Sequence, residues 1–185
     1  MDPTVQLARI LPAVSEVVEG IRPDQLDDPT PCDHFRVRDV LGHMMVLARR
    51  FAYAFRGEEA PEITTPAIDG SVPVREFRSA MDELLDAVRA PGALERSVSA
   101  PFGEVPGETF ARFVAFDGLV HGWDLSRATG QDYAPDPEAV AAVDEFARQA
   151  LTPDMRDGDT FAAEATPPAG TATLERLIAF SGRQV

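Results

Sequence analysis

The strongest constraint on the fold is a helical spacing of apolar residues that appears in five segments of the chain. Apolar side chains that return every three to four residues share one face of a helix. The spacing predicts helices over residues 4–21, 37–56, 74–89, 108–129 and 137–151. A last short helix is predicted over 172–180, and short extended pieces are predicted around Val98 and over 161–164. Pro12 should kink the first helix or move its start.

The connection between the second and third predicted helices is long. Residues 57–73 have no helical period and contain three prolines and two glycines. So long a connection is unusual within a compact domain, but a helix bundle with a crossover connection requires one. We find no internal repeat and no linker, so the fold predicted for residues 1–185 is a single, mainly α domain with additional short C-terminal elements.

Charge and hydropathy exclude several classes of partner. The net charge is −14, from 31 acidic and 17 basic residues, and no basic cluster is present. Nucleic acids and anionic membranes are therefore not expected as partners, because binding phosphates requires a positive surface. No apolar run approaches the roughly 18 residues of a membrane span. The first residues lack the pattern of a signal peptide, which predicts a cytoplasmic protein.

The chain has one cysteine, Cys32. A single cysteine excludes an intramolecular disulfide and a thiolate-rich zinc site, so a metal should be held by imidazole and carboxylate. Cys32 itself is left out of the predicted site, because no histidine is assured near it in space and a buried loop cysteine is the commoner outcome.

An aspartate and a histidine lie four residues apart in the fourth predicted helix. Asp117 and His121 fall on the face that Phe113 and Val114 occupy, one helical turn from each other. Both side chains are therefore expected to point inward. Buried polar groups without partners are costly, so the two groups must either bind each other or hold a ligand.

A third candidate ligand comes from the second predicted helix. His43 follows Val40 by three residues and therefore lies on the apolar stripe, whereas His34 falls in the preceding loop and is expected at the surface. Facing helices of a bundle build metal sites in this way. His43, Asp117 and His121 would leave one coordination position open, as in catalytic zinc sites, and they also suit iron, nickel or manganese. The alternative is a satisfied core histidine and a simple hydrogen-bonded pair.

Three further residues have two interpretations each. Asp124, three residues after His121, could orient an imidazole, or it could pair with Arg127 or be solvated. Trp123 could line the pocket of a cofactor or substrate, or it could pack between helices. Arg183 could bind a carboxylate of the ligand as a bidentate donor, or it could anchor the C-terminal segment through a salt bridge.

Three sequence motifs follow one another along the chain together with the predicted helices. They are "DDPTPCDHFRVRDVLGHM", "VHGWDLSRATG" and "LIAFSGR". Together they resemble the mycothiol-dependent maleylpyruvate isomerase-like group, which belongs to the DinB-like superfamily of metal-binding four-helix bundles. The resemblance extends from the first predicted helix to Arg183. The chain also lacks lysine and asparagine, whose codons are A-rich. This composition agrees with an actinobacterial source, where mycothiol is the low-molecular-weight thiol.

The resemblance implies a fold and a chemistry. It implies a DinB-like four-helix bundle with a long crossover between helices 2 and 3. It also implies that His43, Asp117 and His121 hold a divalent ion, commonly zinc, with an open position for water or a thiol. The expected activity is that of a metal-dependent thiol transferase or isomerase that uses mycothiol on a small electrophile. A non-catalytic bundle that binds a metal or small ligand and a metal-dependent hydrolase are the alternatives, and a homodimer is compatible with each.

Overall fold

Helices account for most of the chain in a computed structural model that describes residues 1–100, 103–156 and 162–185. Within these residues the helices are α1 Pro3–Gly20, α2 Val37–Arg56, α3 Val74–Arg89, α4 Gly107–Thr129, α5 Pro137–Ala150 and α6 Thr173–Phe180. Two strands, β1 Ser97–Ala100 and β2 Gly103–Pro106, precede α4. The predicted mainly α fold is confirmed, and every predicted helix begins and ends within one residue of the observed helix.

The four long helices enclose the core. α1 packs along α4 and α3, and α2 packs along α3 and α4. Their apolar stripes meet in one cluster of buried side chains, to which α5 and α6 add a smaller layer beside α4. Large and fully buried members include Leu7, Ile10, Leu41, Phe55, Phe77 and Leu119. The contact between α2 and α4 brings the two histidine-bearing helices together.

A capping contact and two glycines mark the ends of α2 and α4. At the start of α2 the Asp39 side chain accepts a hydrogen bond from the Arg36 backbone N–H at 2.9 Å. α2 and α4 are followed directly by Gly57 and Gly130, whose φ angles of 73° and 69° lie in the left-handed region that glycine adopts without strain. α1 begins at Pro3, so Pro12 does not move its start.

The predicted crossover between α2 and α3 is confirmed. Residues 57–73 form neither helix nor strand. Buried Ile68 and an ion pair of 3.0 Å between Arg38 Nη1 and Asp69 Oδ1 attach this segment to the bundle. The crossover also lies against α2 at Gly42, where an added Cβ would be 2.8 Å from Thr65 Cγ2. It therefore covers the helix beside the candidate ligand at position 43.

The extended segments agree with the predictions only in part. Val98 lies in β1 and pairs with Val105 of the antiparallel strand β2, a partner that the sequence pattern did not indicate. The strand predicted over 161–164 is wrong where it can be compared: residues 162–164 form no strand, and Phe161 lies outside the described residues. Instead, this segment runs along α6, where the Ala165 N–H donates to the Ala179 carbonyl at 2.9 Å. None of the helices in the described ranges combines the length and apolar character needed to cross a bilayer.

Candidate metal centre

Three candidate ligands from two helices meet at one place in the bundle. His43 comes from α2, and Asp117 and His121 lie one turn apart on α4. The two imidazole rings are 5.0 Å apart between centroids, and His121 Nε2 is 3.5 Å from Asp117 Oδ1. One ligand atom from each of the three side chains lies within 4.8 Å of the others. The packing of α2 on α4 thus assembles the set that the two apolar stripes predict.

The three side chains differ in exposure. The side chain of His121 is 7% exposed, that of Asp117 is 38% exposed, and His43 is half-buried. The prediction that the α4 pair points inward therefore holds for His121 and is wrong in part for Asp117. The reason is that Asp117 lies at the edge of the buried face of α4. Consequently the centre has a buried side at His121 and a side open to solvent at Asp117.

A fully buried carboxylate determines which nitrogen of His121 faces the centre. Asp124 Oδ2 is 3.0 Å from His121 Nδ1, and the Arg183 guanidinium binds both Asp124 oxygens at 3.0 and 3.3 Å. A carboxylate paired with a guanidinium is ionised and can only accept hydrogen bonds, so Nδ1 carries the proton. In neutral His121 the unprotonated Nε2 then faces Asp117.

This arrangement fits a divalent cation. In neutral His121 the lone pair of Nε2 faces the negative Asp117 oxygen across 3.5 Å, and in protonated His121 an N–H faces the same oxygen. A cation between the two atoms would take the place of that proton and would be stabilised by both. Two atoms that are each about 2.0–2.2 Å from a tetrahedral zinc ion lie about 3.3–3.6 Å apart. The donors are two imidazoles and one carboxylate, a combination that zinc, iron, nickel and manganese accept. The residues that would hold the ion are His43, Asp117 and His121.

The protonation of the two histidines follows from their surroundings. Burial lowers the pKa of His43, against the opposing effect of Asp117, and the neighbouring His121 lowers it further. Burial also acts to lower the pKa of His121, but the charges of Asp117 and Asp124 and the hydrogen bond that Nδ1–H donates to Asp124 together raise it above its ordinary value. His43 is therefore neutral at pH 7, which is the form that binds a metal.

Cys32 lies beside the centre, contrary to the prediction that left it out. Its sulfur is within 4.8 Å of ligand atoms of His121 and Asp124. A turn places it there: the Thr30 hydroxyl donates to the Phe35 carbonyl at 2.7 Å and accepts from the Cys32 N–H at 3.2 Å. Burial raises the pKa of the thiol, and the charge of Arg183 opposes this effect. Spacing along the chain could not reveal this contact, because nothing local says which helix the loop meets.

Trp123, His34 and Arg183 are not directed at the three candidate ligands. Trp123 is buried and follows His121 by two residues, which puts it about 200° around α4. The Arg127 guanidinium lies 5.6 Å from the centre of its ring, so Arg127 is directed towards Trp123. His34 is exposed, as expected of a surface histidine. A ligand-binding role for Trp123 stays a prediction, and the Arg183 guanidinium is already bound to Asp124.

Comparison with known proteins identifies the family. Residues 7–126 match the family described as the mycothiol maleylpyruvate isomerase N-terminal domain. The chain belongs to this family. The matched range includes α2, the crossover, α3 and the part of α4 that carries Asp117 and His121. The resemblance observed in the sequence motifs is thereby confirmed.

The chain is also similar to two mycobacterial proteins and to a solved structure. Two proteins of Mycobacterium tuberculosis, from the CDC 1551 / Oshkosh and H37Rv strains, are each 32% identical over 186 residues, covering 100% of this chain and of the relative. Both are described as uncharacterized. A crystal structure of a histidine-to-alanine variant of the mycothiol-dependent maleylpyruvate isomerase is also similar, with a TM-score of 0.58 and 12% identity. The alignment covers 81% of this chain and 72% of that chain, and it shows the shared fold.

Proposed function

We propose that this protein binds a divalent ion, zinc first, through His43, Asp117 and His121, and uses mycothiol in a thiol transfer or isomerisation of a small electrophile. One observation carries the metal part of the proposal. The Asp124 carboxylate holds the proton of His121 on Nδ1, which leaves Nε2 directed at an Asp117 oxygen 3.5 Å away. A carboxylate that orients a ligating histidine through its other nitrogen is a recurrent feature of zinc sites.

The thiol part of the proposal is supported by the family. The family name and the name of the similar solved protein both contain mycothiol and maleylpyruvate isomerase. A divalent ion at this place would supply a Lewis-acidic position at which a thiol loses its proton at neutral pH. The three ligands leave room in a tetrahedral shell for one further donor, which is the pattern of catalytic rather than structural zinc.

The protein side chains have distinct tasks in this proposal. Burial keeps His43 neutral, so it accepts no proton that would compete with its role as a ligand. The partly exposed Asp117 marks the side from which a thiol and its electrophile can enter, while buried His121 forms the closed side. Asp124 and Arg183 hold the imidazole of His121 in one orientation. The site thus presents a fixed set of donors on one side and solvent access on the other.

Thiol-dependent turnover tests the proposal. The zinc-loaded protein is incubated with mycothiol and a panel of small electrophiles that carry an activated double bond or a leaving group, and loss of free thiol and of electrophile is followed. Isomerisation is scored separately by product analysis, because a thiol that adds and later leaves is regenerated. We expect turnover that requires both zinc and the thiol and that is abolished in His43→Ala.

A matched histidine variant controls for loss of an imidazole elsewhere. His34 is exposed and has a φ of 72°, a conformation that asparagine tolerates better than most residues, so His34→Asn removes an imidazole without added strain. This variant should retain the activity of the parent. Turnover of hydrolysable substrates without thiol would replace the proposal by a hydrolase, and metal binding without any turnover would replace it by a binding protein.

A further inference from the structure

We propose that Arg183 is a positioning residue of the candidate metal centre, acting on the ion through Asp124 and His121. The inference rests on the metal site proposed above, and it assigns to the segment after α6 a task in that site. Among the described contacts, no hydrogen bond or ion pair joins Arg183 to any of the three proposed ligands. Its contact is with the carboxylate that holds the imidazole.

The contact between Arg183 and Asp124 is bidentate and buried. Arg183 Nη2 donates to Asp124 Oδ2 at 3.0 Å, and Nε donates to Oδ1 at 3.3 Å. The Asp124 side chain is 0% exposed and that of Arg183 is 17% exposed. A planar guanidinium that binds both oxygens fixes the plane of the carboxylate as well as its position. The direction in which Asp124 Oδ2 meets His121 Nδ1 is therefore set by Arg183.

To bind an ion, the imidazole of His121 must keep its unprotonated Nε2 directed at the centre. Asp124 Oδ2 accepts from both Arg183 and His121, so one oxygen links the guanidinium to the ring. If the guanidinium is removed, the carboxylate loses the two bonds that fix its plane and can rotate away from Nδ1. The imidazole then gains access to the tautomer with hydrogen on Nε2, in which the nitrogen that faces the centre has no lone pair for a metal.

The C-terminal segment has anchors that are independent of the Arg183 side chain. Arg156 Nη2 donates to the Phe180 carbonyl at 2.9 Å, and Arg156 Nη1 donates to the Ala162 carbonyl at 2.7 Å. The Ser181 hydroxyl donates to the Ile178 carbonyl at 2.7 Å. Arg156 therefore holds the same end of α6 without contacting Asp124, and Arg156→Gln is a matched control for loss of a tail anchor.

Zinc affinity distinguishes positioning from anchoring. The dissociation constant for zinc is measured by competition with a chromophoric chelator in the parent and in Arg183→Gln, Arg183→Lys and Arg156→Gln. Loss of a group that orients a ligating histidine typically weakens metal binding by about 10–100-fold, which is the result expected for Arg183→Gln. Arg183→Lys keeps a charge but not the planar fork and should recover part of the affinity, while Arg156→Gln should bind zinc as the parent does.

A double-mutant cycle tests whether the effect travels through the carboxylate. Asp124→Asn should weaken zinc binding by itself, and Arg183→Gln should add little in the Asp124→Asn background. Far-UV circular dichroism of each zinc-free variant establishes that it is folded, and Arg183→Lys takes the place of Arg183→Gln if the latter is not. Equal zinc affinity in the parent and the folded Arg183 variant would overturn this inference alone. A parent that binds no zinc would instead overturn the proposed metal site.

Discussion

Replacing Gly118 and Gly122 of α4 by alanine, one at a time, should change the stability of the protein in different ways. A Cβ built at Gly118 has no heavy atom within 4 Å outside its own helix, so the methyl group fits without displacement. A Cβ at Gly122 would lie 2.5 Å from the Tyr133 hydroxyl oxygen, 2.7 Å from Tyr133 Cζ and 3.0 Å from Val14 Cγ2. These separations are too short for carbon, so the partly buried Tyr133 ring or α1 must move.

The expected magnitudes follow from two terms. Alanine is favoured over glycine inside a helix by about 0.8–1.0 kcal/mol, and this gain applies to both positions. Overpacking in a well-packed core costs about 1–3 kcal/mol, and this cost applies only to Gly122→Ala. Gly118→Ala should therefore be more stable than the parent by about 0.8–1.0 kcal/mol. Gly122→Ala should be less stable than Gly118→Ala by about 1–3 kcal/mol, because the helix term cancels in that comparison.

Urea unfolding followed by far-UV circular dichroism measures both differences. For a protein of 185 residues, 1 kcal/mol corresponds to about 2–4 °C in Tm, so thermal scans provide a second measurement. The slopes of the urea curves should be the same in the three proteins, since the surface exposed on unfolding is the same. Equal stability of the two variants would refute the close approach of Tyr133 and Val14 to α4.

Other predictions concern a buried hydroxyl, the crossover and the ligand carboxylate. The Tyr133 hydroxyl is buried with no hydrogen-bond partner among the described residues, so Tyr133→Phe should leave stability at pH 7 equal or raise it by about 1 kcal/mol. Burial raises the pKa of Tyr133 above its ordinary 10.0, so above that pH only the unfolded state loses the phenol proton. Stability should therefore fall less steeply above pH 10 in Tyr133→Phe than in the parent, as urea unfolding at several pH values would show. Ile68→Ala should lower the free energy of unfolding by about 2–5 kcal/mol, because Ile68 is buried where the crossover meets the bundle. A change below about 0.5 kcal/mol would contradict that packing. Asp117→Asn should lower the affinity for zinc, measured by competition with a chelator. Because Asp117 is partly exposed, the unfolding curve of the zinc-free protein should stay nearly unchanged. An unchanged zinc affinity would remove Asp117 from the ligand set.

The helices and the candidate ligands on α2 and α4 could be predicted because each depends on a pattern within a short stretch of sequence. Apolar spacing and terminal glycines such as Gly130 set the helix bounds, and the observed bounds agree within one residue. His43 and the pair Asp117 and His121 are recognisable as candidate ligands in the sequence because they are polar groups that interrupt an apolar stripe. Each of these signals lies within a few residues of chain, where helix geometry alone determines which side chains share a face.

The parts that were missed depend on contacts between distant segments. Cys32 reaches His121 through a loop whose path no local pattern determines. The pairing of Arg183 with Asp124 joins residues 59 positions apart, and the pairing of Val98 with Val105 joins two short strands of which the sequence pattern indicated only the first. The exposure of Asp117 depends on how far neighbouring elements extend over α4. Such contacts are set by the packing of whole elements rather than by the spacing within one.

Metal content tests the central claim most directly. The purified, untagged protein, the double variant His43→Ala with His121→Ala, and the surface control His34→Asn are exposed to excess zinc, desalted and analysed by elemental mass spectrometry. We predict close to one zinc ion per chain in the parent and in His34→Asn, and none in the double variant. A parent that retains no zinc, or a double variant that retains as much as the parent, would contradict the assignment of His43, Asp117 and His121 as the metal ligands.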